Sequence, residues 1–178
     1  MARSLSWTPV DSAPAYEGFI RIESRRYQLP NGNTTRWDIL AGGRTVAIVA
    51  ITDNGTVVLA RQYRPGPGRV LDELPGGMVD RGEGVLEAAA RELLEETGYS
   101  AEALEVVGHS WLAGFSTIER YAVLARGCRR VADPAGHDDE IIEPVERGLI
   151  DFIEQVRAGQ LTDSDSALRC LDRLGALQ

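Results

Sequence analysis

The chain contains no lysine: all 19 of its basic residues are arginine. That absence excludes phosphate binding by a P-loop lysine and covalent catalysis through a lysine Schiff base. Histidine is scarce, with only His109 and His137, which argues against a metal centre built from imidazoles. Cys128 and Cys170 are the only cysteines. They are too few and too far apart for a disulfide framework or a zinc cluster, and they read as reduced thiols of a cytosolic protein. No stretch approaches the roughly 18 apolar residues of a membrane span. The N-terminal MARSLSWTPVDSAPAYEG lacks the apolar core of a secretory signal. Positive charge is also in deficit, with 27 Asp and Glu giving a net charge of −8. That balance argues against a protein held on nucleic acid mainly through phosphate contacts.

What is present suits a soluble globular protein. The 178 residues are 43% hydrophobic and 26% charged, enough for one domain with a small appendage. With histidine and cysteine so rare, a bound metal would be held by carboxylates, which favours Mg²⁺, Mn²⁺ or Ca²⁺.

Residues 1–17 read as a loose arm. GFIRIESRRYQL and TTRWDIL, joined through PNGN, read as a β-hairpin around Asn-Gly. Gly42-Gly43 breaks the pattern, so residues 1–41 are expected to form an N-terminal module and residues 42–178 the main domain. TVAIVAIT at 45–52 is almost wholly apolar, as a strand buried on both faces requires, and TVVLARQYR is its partner beyond Asp53-Asn54-Gly55. VLDELPGG runs into a turn. A helix is expected from Gly84 to Thr97, with Val85, Leu86, Ala89, Ala90, Leu93 and Leu94 as its apolar face and Gly98 ending it. Two strands follow, at 104–112 and 117–126. Then come an acidic loop, DPAGHDDEIIEP, and two amphipathic helices, ERGLIDFIEQVRAG and SDSALRCLDRL. The order predicts an α+β or mixed α/β sandwich.

The chemistry concentrates between Gly77 and Tyr99. Glu92, Glu95 and Glu96 stand at i, i+3 and i+4, so one helical face presents three carboxylates. Such spacing opposes the helix by a few tenths of a kcal/mol per pair unless something offsets it. A divalent cation can do so, as can solvent or the nearby Arg91, and Glu83 can add a fourth carboxylate.

The segment matches G-x5-E-x7-R-E-U-x-E-E-x-G-U, where U is a bulky apolar residue. Gly77, Glu83, Arg91, Glu92, Glu95, Glu96 and Gly98 all fall in place, with Tyr99 at the last U. This is the Nudix box, and the chain resembles the Nudix hydrolases. The resemblance implies an α/β/α sandwich around a mixed sheet. It implies hydrolysis of a nucleoside diphosphate linked to another moiety, with two to three Mg²⁺ or Mn²⁺ ions. By the same resemblance Glu92, Glu95, Glu96 and the Gly76 carbonyl are the metal ligands. Glu83 is an accessory ligand, and Arg91 orients a box glutamate.

ARQYRPGPGRVLDELPGGMVD, GFSTIERYAVLA, DDEIIEP and GQLTDSDSALRCL further resemble the ADP-ribose pyrophosphatase branch. That likeness places Arg36, Arg64, Glu119, Met78 and Trp37 against the substrate, with Tyr27 a second stacking candidate. It implies a homodimer formed through the N-terminal β-module. It also puts the base on the acidic loop, where Glu140 is the choice and Asp138, Asp139 and Glu143 compete; Glu95 and Arg91 complete the catalytic set. One departure stands out. Leu112-Ala113-Gly114 lacks the proline usual before that glycine, which leaves room for ADP-glucose, GDP-mannose or another sugar nucleotide. A damaged nucleoside triphosphate, or sensing without turnover, is the remaining alternative.

Overall fold

The computed structural model describes residues 4–135 and 141–177. The chain divides into two compact units. The smaller comprises the N-terminal residues through Gly43 together with Trp111–Glu119, and the larger comprises Arg44–Ser110 and Arg120–Gln178.

The smaller unit carries a three-stranded antiparallel sheet in the order β1-β2-β3, with β1 at Thr8–Glu17, β2 at Arg21–Gln28 and β3 at Thr34–Ala41. The β2–β3 hairpin is as expected. The arm is not: residues expected to be loose form β1. Its ten residues are all exposed, so no apolar stripe announces it. What holds it is pairing with β2. Its register shifts at Pro9/Asp11 and Pro14/Tyr16, and an edge strand interrupted in this way tolerates proline. In the same unit Thr117 Oγ1 accepts from the Gly42 N–H and donates to the Gly42 carbonyl, each at 2.9 Å.

The larger unit is a mixed α/β sandwich, as the sequence indicates. Its strands are β4 (Arg44–Thr52), β5 (Thr56–Arg64), β6 (Arg69–Glu73), β7 (Tyr99–Ser100), β8 (Ala103–Trp111), β9 (Glu119–Arg130) and β10 (Ile142–Gly148). The central order is β10-β5-β4-β9-β7, with β6 on β5 and β8 on β9. Its helices are α1 (Val85–Thr97), α2 (Leu149–Arg157) and α3 (Ser164–Arg173). The central strands alternate between two cores. Ala47, Val49, Val57, Leu59, Ala122 and Leu124 pack with Phe152, Val156, Ala167 and Leu171 of α2 and α3. Val46, Ile48, Ala50, Val58, Val123 and Ala125 pack with Ala88, Ala89 and Leu93 of α1. Strands covered on both faces need no polar alternation, hence the unbroken apolar runs.

Three expectations need correction. Residues 142–148, read as loop and helix start, form β10, paired with β5 from Ile142↔Gln62 to Gly148↔Thr56. Pro144 gives that stretch a loop-like look, but β10 is the outermost strand on the sheet path, where a missing N–H is tolerated. The α1 face is narrower than expected. Ala88, Ala89, Leu93, Glu96 and Thr97 are buried, whereas Leu86, Ala90 and Leu94 are exposed, about 100° round the helix from the core. VLDEL also supplies the strand β6 rather than only a turn.

Asp72 joins three strands by charge. Its carboxylate is 10% exposed and accepts from Arg61 of β5 at 2.7 and 3.2 Å, and from Arg147 of β10. The Arg61 hydrogen bond, helped by that of Arg147, holds the Asp72 carboxyl below the usual range against the opposing effect of burial. A lowered folded-state value means that the unfolded chain takes up the proton first. The stability is therefore present above the ordinary Asp range and lost as pH falls through the lowered value. Asp72→Asn is expected to cost about 2 kcal/mol at neutral pH. It should also flatten the fall of the melting midpoint as pH drops through the ordinary Asp range and below it. Thermal melts across that range check this, and an unchanged acid limb would rule it out.

Candidate functional site

Where the loop after β6 enters α1, four carboxylates and one guanidinium gather. The loop is tied down by β4: Val46 N–H donates to the Gly77 carbonyl and Ile48 N–H to that of Pro75, each at 2.9 Å. These bonds take the carbonyls on either side of Gly76 and pass over its own. Helix α1 starts at Gly84, whose N–H donates to the Glu87 carboxylate at 2.8 Å. It ends on Gly98, whose φ of 74° is the left-handed value that suits glycine.

Arg91 is the hub. Its Nε and Nη2 donate to the two oxygens of Glu83 at 2.9 and 3.0 Å. Its Nη1 donates to Glu92 at 2.9 Å and to Glu95 at 3.2 Å. Nη2 also reaches the Met78 carbonyl at 3.0 Å. One cation thus offsets the repulsion that the glutamate spacing creates. Glu96 is buried and accepts instead from the Gly76 N–H at 2.9 Å.

The electrostatics separate these acids. The Arg91 bond, aided by the Asp80 N–H, draws the Glu83 carboxyl down to about 2. Burial pushes Glu92 upward, and the charges of Glu95 and Glu83 add to this against the pull of Arg91. A half-buried carboxylate beside like charges gains from a further cation.

The residues present fit a divalent cation. Gly77 has no side chain to fill the space against Glu92: a Cβ there would lie 2.5 Å from Glu92 Oε1. The donors are hard oxygens, as Mg²⁺ and Mn²⁺ require. Among the described residues no three Asp, Glu, His or Cys side chains already form a metal cage. Arg91 is the cation that holds Glu83, Glu92 and Glu95 here.

Arg64, at the end of β5, places Nη2 3.7 Å from a carboxylate oxygen of Glu73, which is fully buried. Met78, in the larger unit, is exposed, and the other residues expected against the substrate lie in the smaller unit. Arg36 stands 3.7 Å from Asp11 and 3.4 Å from Ser24 Oγ. Trp37 and Tyr27 pack against the edge of Trp7, with ring centroids 5.7 and 5.9 Å away. Glu119 lines a cavity of about 530 Å³ with Trp111, Ala113, Gly114, Ser116 and Thr117.

The NUDIX domain family model matches residues 41–161. This chain belongs to the Nudix family. It is 30% identical over 156 residues to the methanol dehydrogenase activator of Bacillus methanolicus, spanning 84% of this chain and 82% of that protein. It is 31% identical over 142 residues to the ADP-ribose pyrophosphatase of Bacillus subtilis, spanning 79% of this chain and 77% of that one. A solved structure described as an ADP compounds hydrolase superposes with a TM-score of 0.80, covering 99% of this chain and 100% of that one. At 22% identity it shows a shared fold.

Within this Nudix domain the box residues come together on one loop and helix. Glu143 lies on β10 opposite Arg61. Glu140, Asp138 and Asp139 lie outside the described residues. Two residues escape the sequence reading. Trp7 belongs to a segment read as loose, and its being an aromatic is the only mark it leaves there. Glu73 is a carboxylate with no solvent exposure, and a charge within VLDEL is the only mark it leaves in the sequence. Among the described residues, no helix is long and apolar enough to cross a membrane.

Proposed function

We propose that this Nudix hydrolase splits the diphosphate bond of a nucleoside diphosphate sugar, ADP-ribose first among them, giving AMP and ribose 5-phosphate. The observation that carries the reading is the box itself: Glu83, Glu92 and Glu95 on Arg91, Glu96 on Gly76, and the open face of Gly77 against Glu92. The pyrophosphatase relative from Bacillus subtilis supports the substrate class.

In this reading Glu92, Glu95, Glu96 and the Gly76 carbonyl hold two to three Mg²⁺ or Mn²⁺ ions, with Glu83 as accessory ligand. Bound there, such ions screen the diphosphate, polarise its P–O bonds and acidify a water. The chain's own residues do the rest. Arg91 keeps the glutamates in place. Arg64 and Arg36 hold phosphate or terminal ribose, Glu119 accepts from ribose hydroxyls, and Met78 lies against the substrate. Trp37, or Tyr27, stacks on adenine. Glu140 takes the proton of the attacking water, with Asp138, Asp139 and Glu143 as competitors. The N-terminal module forms a homodimer; Val10, Tyr16, Phe19 and Ile20 are exposed there, and exposed apolar patches mark interfaces. Buried, unpaired Cys128 and Cys170 suit a cytoplasmic enzyme.

A second reading keeps the chemistry and changes the sugar, because Ala113 stands where proline is usual and lines the 530 Å³ cavity. Phosphorus NMR with Mg²⁺ and ADP-ribose, beside ADP-glucose, GDP-mannose and 8-oxo-dGTP, separates the two. AMP and ribose 5-phosphate are expected from ADP-ribose in preference to the rest. Preference for another sugar nucleotide selects the second reading. Binding without turnover of any of them overturns both.

A further inference from the structure

We infer that Glu73, held by Thr162, is a positioning residue that sets the Arg64 guanidinium for the substrate. The inference rests on Arg64 touching substrate, as proposed above.

Glu73 has no solvent exposure. A carboxylate taken out of water costs several kcal/mol unless it is paired and hydrogen-bonded. Its partners are specific. The Thr162 backbone N–H reaches its two oxygens at 3.1 and 3.3 Å, and the Thr162 hydroxyl donates to Oε2. The same Oε2 stands 3.7 Å from Arg64 Nη2. Thr162 therefore orients the acid, and the acid's charge holds one end of the guanidinium. Arg64 Nε is buried and has no hydrogen-bond partner among the described residues. The side chain as a whole is 30% exposed, so a guanidinium tethered at one nitrogen can still be reached by an acceptor oxygen.

The turn that carries Thr162 is fixed on β6 at consecutive positions. Gln155 Nε2 donates to the Asp72 carbonyl at 2.6 Å and to the Gln160 carbonyl at 3.2 Å, and Thr162 then meets Glu73. Asp163, next along, spends its carboxylate on Arg120 at 2.9 Å rather than on capping α3. It also feels the charges of Arg64 and Glu73. The GQLTD stretch ahead of α3 thus does more than join two helices. Its adjacent residues Thr162 and Asp163 serve two ion pairs, Thr162 holding the Glu73 that faces Arg64 and Asp163 sharing Arg120 with Asp165.

The test is a double-mutant cycle in steady-state kinetics with ADP-ribose at saturating Mg²⁺. Glu73→Gln keeps the hydrogen-bond acceptor and removes the charge. It should raise KM roughly tenfold, as expected when binding is deprived of one charge-assisted hydrogen bond, with kcat within about threefold. In the Arg64→Ala background the same change should add nothing further. Thr162→Val should also raise KM, and Thr162→Ser, which retains the hydroxyl, should restore it; this pair carries the test if Glu73→Gln does not fold. Additive effects in the cycle, or an unchanged KM in Glu73→Gln and Thr162→Val where Arg64→Ala raises it, overturn the inference alone. An Arg64→Ala enzyme with unchanged KM overturns the substrate role of Arg64 and the inference with it.

Discussion

If Glu96 is a metal ligand as proposed, Glu96→Gln is expected to lower kcat/KM on the order of 10³-fold at fixed Mg²⁺, because one anionic ligand of a cation site is worth several kcal/mol in the transition state. The fold should survive. Glu96 is buried and its side chain accepts from the Gly76 N–H at 2.9 Å, and a glutamine oxygen can accept the same bond. The melting midpoint should therefore move by only about 2–3 °C. The loss should be partly recovered by raising Mg²⁺, since a weakened ligand set still binds at higher concentration. Glu95→Gln should do less. Its side chain is 38% exposed and its bond to Arg91 is the longest of that group at 3.2 Å. Rates at several Mg²⁺ concentrations beside a melt of each variant distinguish these outcomes. A Glu96→Gln enzyme of near wild-type rate would take Glu96 out of the site.

The sequence is legible where structure is local. β4 and β5 follow from Val, Ile and Ala runs that only a strand covered on both faces can carry. The box could be read for the same reason: Gly77 to Gly98 spans one loop and one helix, so spacing along the chain translates directly into shared position on the helix. β1 was hidden because pairing rather than burial holds it, and Pro9 and Pro14 look like breakers until the register shifts beside them are seen. β10 was hidden by Pro144. The Glu73–Thr162 contact could not be read at all, since its partners are 89 positions apart and neither residue type is unusual alone. Arg91 shows the same limit inside the box. Its spacing could suggest one glutamate partner, and the fold gives it three together with the Met78 carbonyl.

Two neighbouring glycines should fail in opposite ways when each becomes alanine. At Gly76 an added Cβ would lie 2.1 Å from the Val46 carbonyl oxygen and 3.1 Å from Ala47 Cα. Both are backbone atoms of β4, the strand that contributes Val46 and Ala47 to the two cores. Relief requires moving the loop off the strand, against the bonds from Val46 and Ile48. Gly76→Ala is therefore expected to cost about 3 kcal/mol, or roughly 6–12 °C in melting midpoint. At Gly77 the added Cβ meets Glu92 Oε1 at 2.5 Å and Oε2 at 2.8 Å. That is the far end of a flexible side chain, and it can swing aside without disturbing the backbone. Gly77→Ala should hold its midpoint within about 2 °C. With Glu92 the ligand proposed above, activity should fall on the order of 10²-fold, because displacing a ligand removes transition-state stabilisation much as deleting it does. Melts and Mg²⁺-dependent rates on the two variants check both halves. A Gly77→Ala enzyme with wild-type rate and Mg²⁺ dependence would mean that Glu92 is not needed where Gly77 lets it lie, and the metal-ligand role would pass from Glu92 to the remaining box carboxylates.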